Sequence, residues 1–168
     1  NDLKLLIKAI DQSKEKNKRK IRDKALILIG FSGGFRRSEL VDIELEDVEL
    51  VSEGVKIFVK RSKTDQSGEG MTKAIPYFDN EKFCPVIALK NWIEIFDLKK
   101  SRIFNISDKS VALIIKKYAS YAGLDSHRYA GHSLRSGFAT STAESGAEER
   151  NIMAMTGHKS TEMVRRYI

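Results

Sequence analysis

One short segment, Ala25 to Ile29, limits the folds open to this chain more than any other part of its sequence. Its residues, Ala-Leu-Ile-Leu-Ile, are apolar on every side of a helix. A helix that is hydrophobic all round has no face for water and belongs in a protein interior. Gly33 and Gly34 then break the pattern, and Ser38 with Glu39 begins a short new helix. We therefore expect a domain built around a central buried helix.

The flanking sequence predicts further helices and one β-hairpin. Residues 55–60 and 73–78 alternate between apolar and polar, with a Gly-containing polar stretch from Asp65 to Gly70 between them. This pattern predicts a β-hairpin with a long, mobile tip. Elsewhere apolar residues recur at helical spacing. The predicted helices cover residues 1–10, 85–96, 107–122, 133–144, 147–155 and 161–168. The expected fold class is α+β, mainly α-helical with a small antiparallel β-hairpin or sheet.

Composition bounds the class of protein and its partners. The 168 residues fit one domain, 41% of them hydrophobic and 32% charged, as in globular proteins. No apolar run is long enough to span a membrane, and the start has no signal-peptide pattern. The single cysteine, Cys84, excludes an internal disulfide and a cysteine zinc site, so we expect an inert packing role in a reducing compartment. The net charge of +7 favours a polyanionic partner.

Two segments in the first half of the chain contain basic residues that could bind an anion. Arg36 lies in Gly-Phe-Arg-Arg-Ser-Glu-Leu, just beyond the glycine turn at the start of a helix. The plainer interpretation is a surface arginine paired with Glu39 or Glu44. Lys63 lies in Arg-Ser-Lys-Thr, where the first hairpin strand meets the tip, and its plainer interpretation is a solvated charge cluster.

Two segments near the end are more specific. His132 and Arg135 are three residues apart, so on a helix both side chains can reach one ligand. His158 follows a helix-ending glycine, and Tyr167 comes nine residues later. A capping histidine, a structural arginine, a hydrogen-bonded histidine and an amphipathic tyrosine are the alternatives. Each alternative is credible singly, whereas the whole set in this order points to a shared site.

This ordered set resembles the catalytic residues of the tyrosine recombinase (phage integrase) family. The resemblance runs from the helix before Arg36 almost to the last residue, and it implies the fold of DNA breaking-rejoining enzymes. For the arginine in the first box, Arg37 remains an alternative. For the hairpin lysine, the neighbours Lys60, Arg61 and Lys73 remain alternatives. The catalytic residues that the resemblance implies are Arg36, Lys63, His132, Arg135, His158 and Tyr167.

The resemblance also implies an activity, which is metal-independent cleavage and rejoining of DNA through a covalent 3′-phosphotyrosyl intermediate. Tyr167 is then the nucleophile, and the two arginines meet the charge on the non-bridging phosphate oxygens. The first histidine either accepts the phenol proton or orients the phosphate, and the second donates a hydrogen bond to a non-bridging oxygen. Lys63 protonates the leaving 5′-oxygen. No cofactor and no metal are expected, because the carboxylates show no ligand spacing and the histidines form no zinc motif.

The expected function is therefore a site-specific DNA recombinase or integrase. Its expected partner is double-stranded DNA, bound by a homo-tetramer in the full-length protein, with a monomer as the expected state of the fragment. Residues 1–168 would form the catalytic domain, without the family's amino-terminal DNA-clamping domain and carboxy-terminal tail. The expected location is cytoplasmic and nucleoid-associated, in a bacterium or encoded by a phage. The alternatives are an enzyme like a type IB topoisomerase and a basic DNA-binding module without activity.

Overall fold

The computed structural model describes residues 2–60, 70–97 and 99–126. These residues form a mainly helical domain with one three-stranded antiparallel sheet, which confirms the predicted fold class. None of the helices in these ranges is long and apolar enough to cross a lipid bilayer. The helices are α1 (Asp2–Gln12), α2 (Asn17–Gly33), α3 (Arg37–Val41), α4 (Pro85–Ile93) and α5 (Asp108–Tyr121). The strands are β1 (Val48–Val51), β2 (Gly54–Val59) and β3 (Met71–Pro76).

Helix α2 is the centre of this domain. Every residue from Ala25 to Ile29 has zero exposed surface, which confirms the prediction of a central buried helix. Helix α4 packs against α2, and α1 packs against both α2 and α5. Helix α1 buries the apolar face predicted from its spacing, since Leu3, Leu6, Ile7 and Ile10 all belong to the core. The chain therefore surrounds α2 with amphipathic helices on one side and the sheet on another.

The sheet has the strand order β1-β2-β3, and both neighbouring pairs are antiparallel. Strands β2 and β3 are the two strands of the predicted hairpin, and Val55, Ile57 and Val59 are buried along one face of β2. The predicted tip falls largely on residues 61–69, which lie outside the described residues. Strand β1 was not predicted as a strand. Its residues Val-Glu-Leu-Val are half-buried or exposed, so they lack the strong alternation of β2.

The last two described helices agree closely with their predictions. Helix α4 begins at Pro85, as predicted, and ends at Ile93, three residues before Phe96. Phe96 is buried beyond the helix end, which explains why it continued the apolar pattern. Helix α5 has Ser107 as its N-cap and is followed by Gly123 at a φ of 76°. The predicted helices 133–144, 147–155 and 161–168 lie outside the described residues.

Cys84 has the inert packing environment that the sequence predicted. The thiol is free and fully buried, directly before α4. Its sulfur accepts a hydrogen bond of 3.4 Å from the backbone N–H of Phe78. This contact joins the end of the sheet to the start of α4, so the cysteine has a structural environment.

Candidate active site

The described residues contain one of the predicted catalytic residues, Arg36. The other predicted residues, which are Lys63, His132, Arg135, His158 and Tyr167, lie outside the described residues. The described part of the candidate site therefore consists of the segment around Arg36 and the sheet beside it.

A turn with a left-handed glycine connects the end of α2 to Arg36, which directly precedes α3. Helix α2 ends at Gly33, and Gly34 has φ 62° and ψ 40°, a conformation in which a Cβ atom would be strained. The N–H groups of Gly34 and Phe35 both donate to the carbonyl of Gly30, the latter at 3.1 Å. These bonds close the helix and turn the chain, so that Arg36 follows at a fixed distance from the end of α2.

The backbone of Arg36 is held by the short helix that follows it. Arg36 is the N-cap of α3, with φ −76° and ψ 154°, and its N–H donates to Oε1 of Glu39 at 2.8 Å. Glu39 is only 7% exposed. A glutamate at the third helical position that accepts the N-cap N–H is half of a capping box. The glutamate of the Arg-Arg-Ser-Glu-Leu box therefore orients the backbone of Arg36.

The guanidinium of Arg36 makes no ion pair with a carboxylate among the described residues. Glu39 is occupied by the backbone bond, and Oε2 of Glu44 lies 2.7 Å from Nζ of Lys60. The plainer interpretation, a surface arginine paired with Glu39 or Glu44, is therefore wrong. Nη1 of Arg36 is buried and has no hydrogen-bond partner in the described part of the chain.

A buried guanidinium nitrogen without an acceptor is energetically unfavourable. Leaving a buried charged donor unsatisfied costs more than the roughly 1–3 kcal/mol of a neutral group. Buried polar groups are otherwise almost always hydrogen-bonded, so an exception calls for an explanation such as a catalytic role. Because the planar guanidinium fork matches phosphate oxygens, this nitrogen is suited to bind an anion.

Lys73 is a residue whose role in this region sequence reasoning missed. It was considered only as an alternative for the hairpin lysine, yet its side chain is 1% exposed. Its ammonium donates to the carbonyl oxygens of Gly33 at 2.8 Å and Gly34 at 3.0 Å. Nζ also lies 4.8 Å from the centre of the Phe35 ring. The available signal was its register: Lys73 pairs with buried Ile57 and precedes buried Ile75 by two, which places it on the inner face of the sheet.

Lys60, the last described residue before the predicted hairpin tip, is also engaged in the structure. Its ammonium lies 2.7 Å from Glu44 and 3.2 Å from Oδ2 of Asp47. The hydrogen bond from Lys60 lowers the pKa of Glu44, and the same bond raises the pKa of Lys60 above its ordinary value. The neighbouring carboxylate of Glu44 raises the pKa of Glu46. The end of β2 is thus bound to the segment between α3 and β1.

Comparison with known proteins gives one consistent result. The family model described as phage integrase family matches residues 1–168. An integrase/recombinase XerD homolog of Selenomonas ruminantium is 50% identical over 160 residues, which are 88% of this chain and 47% of that protein. The tyrosine recombinase XerD of Staphylococcus saprophyticus is 30% identical over 158 residues, which are 87% of this chain and 49% of that protein. The chain thus spans about half the length of these curated relatives.

Solved structures show the same fold at low sequence identity. The XerH site-specific recombinase bound to palindromic difH substrate, a post-cleavage complex, superimposes with a TM-score of 0.73 at 21% identity. That match covers 99% of this chain and 47% of the XerH chain. A lambda integrase tetramer bound to a Holliday junction gives a TM-score of 0.65 at 21% identity, over 99% of this chain and 46% of that chain.

Proposed function

This chain belongs to the phage integrase family, and on that premise we propose that it contains the catalytic centre of a site-specific tyrosine recombinase. Membership agrees with the resemblance drawn from the sequence. The proposed reaction cleaves and rejoins DNA through a covalent 3′-phosphotyrosyl intermediate, without metal or cofactor. The observation that carries the proposal is the buried Nη1 of Arg36, which lacks a partner within the described residues at the position of the family's first arginine.

Arg36 is the proposed ligand of the scissile phosphate. During attack on a phosphodiester, negative charge builds up on the non-bridging oxygens, and donors already in place lower the barrier most. Glu39 orients the backbone of Arg36 and leaves its guanidinium available for an anion. Arg37 is the first residue of α3, and its side chain is not among the buried groups that lack a partner. This difference supports Arg36 over Arg37.

Lys63 is the proposed general acid for the leaving 5′-oxygen. Two of its alternatives have other contacts: Lys60 pairs with Glu44 and Asp47, and Lys73 bonds to the glycine turn. A proton donor must reach the leaving oxygen, and a lysine that is bound inside the domain is poorly suited to that task. These contacts support the preference for Lys63.

The remaining roles are proposed from family membership. Tyr167 attacks the phosphorus, and His132 either accepts the phenol proton or orients the phosphate. Arg135 is the second phosphate ligand, and His158 donates a hydrogen bond to a non-bridging oxygen. The covalent phosphotyrosine retains the energy of the broken bond, so the reverse attack by a 5′-hydroxyl rejoins the strand without ATP.

The proposed partner is double-stranded DNA, and the proposed active assembly is a homo-tetramer. The similar XerH structures contain difH substrate, and the similar lambda integrase structures include a dimer on a core site and a tetramer on a Holliday junction. Thirty basic residues against 23 acidic ones support a polyanionic partner.

The experiment that tests this function traps the protein on DNA. A duplex with the cognate crossover site and a nick near the cleavage position loses its short fragment after cleavage, so the covalent adduct accumulates. We expect a denaturation-resistant adduct that mass spectrometry assigns to Tyr167. Tyr167→Phe abolishes the adduct and retains DNA binding, because only the nucleophilic oxygen is removed.

Arginine variants test the phosphate ligand in the same assay. Arg36→Ala lowers the single-turnover cleavage rate by about 10²–10³, as expected for loss of one transition-state donor. Arg37→Ala, the matched control on the adjacent residue, lowers the rate by less than about tenfold. An adduct on a residue other than Tyr167, or the larger loss in Arg37→Ala, contradicts the assignment. A wild-type protein that binds the duplex without forming any adduct would be a DNA-binding module without this chemistry.

A further inference from the structure

Lys73 connects the sheet to the turn that precedes Arg36. It lies in the middle of β3, opposite Ile57 of β2, and it points to the inner face of the sheet. Its ammonium bonds to the two carbonyl oxygens at the end of α2, those of Gly33 and Gly34, from a residue 40 and 39 positions away in sequence. The contact therefore joins two parts of the chain that are distant in the sequence.

Burying the ammonium group of Lys73 is energetically unfavourable, so its hydrogen bonds must compensate for the lost hydration. Moving a charged group out of water is strongly unfavourable unless hydrogen bonds compensate. The carbonyls at the end of a helix have no partner within the helix, and the helix dipole makes that end negative. The ammonium of Lys73 supplies donors to two of these carbonyls and a positive charge to the end of α2. The face of the Phe35 ring, 4.8 Å away, adds a cation–π contact.

The bonds of Lys73 fix the peptide groups that lead to Arg36. Gly34 adopts the left-handed conformation, and a Cβ atom at Gly33 would lie 2.4 Å from the Phe35 ring. At the other end, Glu39 accepts the N–H of Arg36. The turn is thus held from α2, from α3 and from β3. The bonds from Lys73 oppose rotation of the Gly33 and Gly34 peptide groups, because they hold the carbonyl oxygens of both.

We propose that Lys73 is a positioning residue for Arg36, which holds the Gly33–Gly34 turn so that the guanidinium is in place before phosphate arrives. This inference rests on the phosphate-binding role proposed above for Arg36. Lys73 is almost fully buried, so it acts through the turn and does not touch the DNA itself. A displacement of about 1 Å in a catalytic group can cost about a hundredfold in rate.

The test compares variants of Lys73 with Arg36→Ala in single-turnover cleavage of the nicked duplex, with DNA affinity measured in parallel. Lys73→Met keeps the length of the side chain and removes its donors. We expect cleavage to fall by about tenfold to a hundredfold, with the Kd for DNA unchanged. Lys56→Met, on the exposed face of the adjacent strand β2, is the control and cleaves at the wild-type rate. Lys73→Gln, which retains an NH2 group without the positive charge, replaces the methionine variant if circular dichroism shows that the latter is unfolded.

The double variant separates positioning from a general effect on folding. If Lys73 acts through Arg36, adding Lys73→Met to Arg36→Ala causes no further loss of rate. A duplex with a methylphosphonate at the scissile position lacks one charged non-bridging oxygen, so the deficits of both single variants shrink on it together. This substrate dependence would not arise from a merely destabilised fold.

The outcomes distinguish the two proposals. Losses that multiply in the double variant, or a Lys73→Met deficit that is the same on both duplexes, overturn the positioning role and leave that of Arg36 intact. A folded Lys73 variant that cleaves at the wild-type rate overturns it as well. If Arg36→Ala itself cleaves normally, the phosphate-binding role of Arg36 fails, and the inference about Lys73 fails with it.

Discussion

At Arg36, the backbone and the side chain of one residue have separate partners. The N–H bonds to Glu39 and caps α3, whereas Nη1 is buried and has no hydrogen-bond partner within the described residues. Because the carboxylate nearest in sequence is engaged with the backbone, it does not neutralise the guanidinium. The charged group is thereby left without a carboxylate partner within the described residues, and one of its buried donors is unsatisfied. These separate environments of backbone and side chain account for the presence of both an arginine and a glutamate in the segment Arg-Arg-Ser-Glu-Leu.

At Lys63, the proposed role as general acid predicts a dependence on the leaving group. Lys63→Ala removes the proton donor, so cleavage of an ordinary duplex should fall by about 10²–10⁴. In a duplex with sulfur as the 5′-bridging atom, the leaving group is a thiolate, which needs no proton at neutral pH because thiols have pKa values of about 8.5. We therefore expect the variant to cleave this duplex at nearly the wild-type rate in a quenched-flow assay.

The matched control for this prediction is Lys60→Ala. Lys60 pairs with Glu44 and Asp47, so its replacement should have a similar modest effect on both duplexes. Restoration of cleavage by sulfur in the Lys60 variant and not in the Lys63 variant would reassign the general acid to Lys60.

Among the helices, α2 and α5 are joined by a buried polar contact. The hydroxyl of Tyr118 donates to Oδ2 of Asp23 at 2.6 Å, and both side chains have zero exposed surface. The other carboxylate oxygen of Asp23 lies 2.9 Å from Nη2 of Arg22. Burial, together with the hydrogen bond to Asp23, raises the pKa of Tyr118, so the phenol remains a donor across the physiological range. This contact orders α5 against the central helix.

Removing the Tyr118 hydroxyl should destabilise the domain. Tyr118→Phe leaves Oδ2 of the buried Asp23 without its donor, which costs about 1–3 kcal/mol of unfolding free energy. Tyr121→Phe is the control, because Tyr121 is 59% exposed and its ring contact with Tyr118 does not need the hydroxyl. We expect the control to change stability by less than about 0.5 kcal/mol. Urea denaturation measures both variants, and equal midpoints would show that the buried hydrogen bond contributes nothing.

In the molecule as a whole, surface ion pairs add polar links between elements that also share the hydrophobic core. The pair of Lys60 and Glu44 joins the end of β2 to the segment after α3, and Lys117 joins α5 to Glu15 between α1 and α2. In both pairs a hydrogen bond from lysine is the main cause of a lowered glutamate pKa. A carboxyl group whose pKa is lower in the folded state stabilises the fold above its ordinary pKa. That stabilisation is lost as pH falls through the folded-state value.

The pH dependence of stability should therefore change when Lys60 is replaced. Lys60→Met is less stable than the wild type at neutral pH, because Glu44 loses its partner. The difference begins to shrink below the ordinary carboxyl pKa of 4.5, where Glu44 becomes protonated in the unfolded protein. It is lost as pH falls through the lowered pKa of folded Glu44. It also shrinks when pH rises above the ordinary lysine value of 10.5 and through the raised pKa of Lys60. Thermal melts across this range test the prediction.

Lys56→Met is the matched control for the pH series, since Lys56 lies on the exposed face of β2 and its Coulombic attraction is the smallest of the causes that act on the pKa of Glu53. Its stability should follow that of the wild type at each pH. A Lys60→Met difference that is constant from acid to alkaline pH would contradict an electrostatic origin.

The sequence predicted those parts of the fold that depend on local patterns. The apolar run of α2, the alternation in β2 and the Gly34 turn each reflect neighbouring residues, and each was predicted correctly. Strand β1 was missed because its weak pattern acquires a strand form only by pairing with β2. The contacts of Lys73 were missed for a similar reason, since they depend on tertiary packing across about 40 residues.

For the candidate site, the order of the motifs identified the family, and the structure showed the contacts of one motif, the segment around Arg36. In the plainer alternative, Glu39 or Glu44 was a partner of the Arg36 side chain; Glu39 binds the backbone of Arg36 instead, a distinction that spacing alone does not make. The roles of His132, Arg135, His158 and Tyr167 stay predictions.

The bonds from β3 to the end of α2 restrict how this domain can be recombined with relatives by protein engineering. A hybrid that imports only residues 30–41 would pair a foreign glycine turn with the native Lys73, and one that imports only β3 would pair the native turn with a foreign strand. Either hybrid keeps every motif intact in an alignment while misaligning two carbonyl acceptors and their donor. Crossover points for chimeric recombinases should therefore keep the arginine box and the third strand from the same parent.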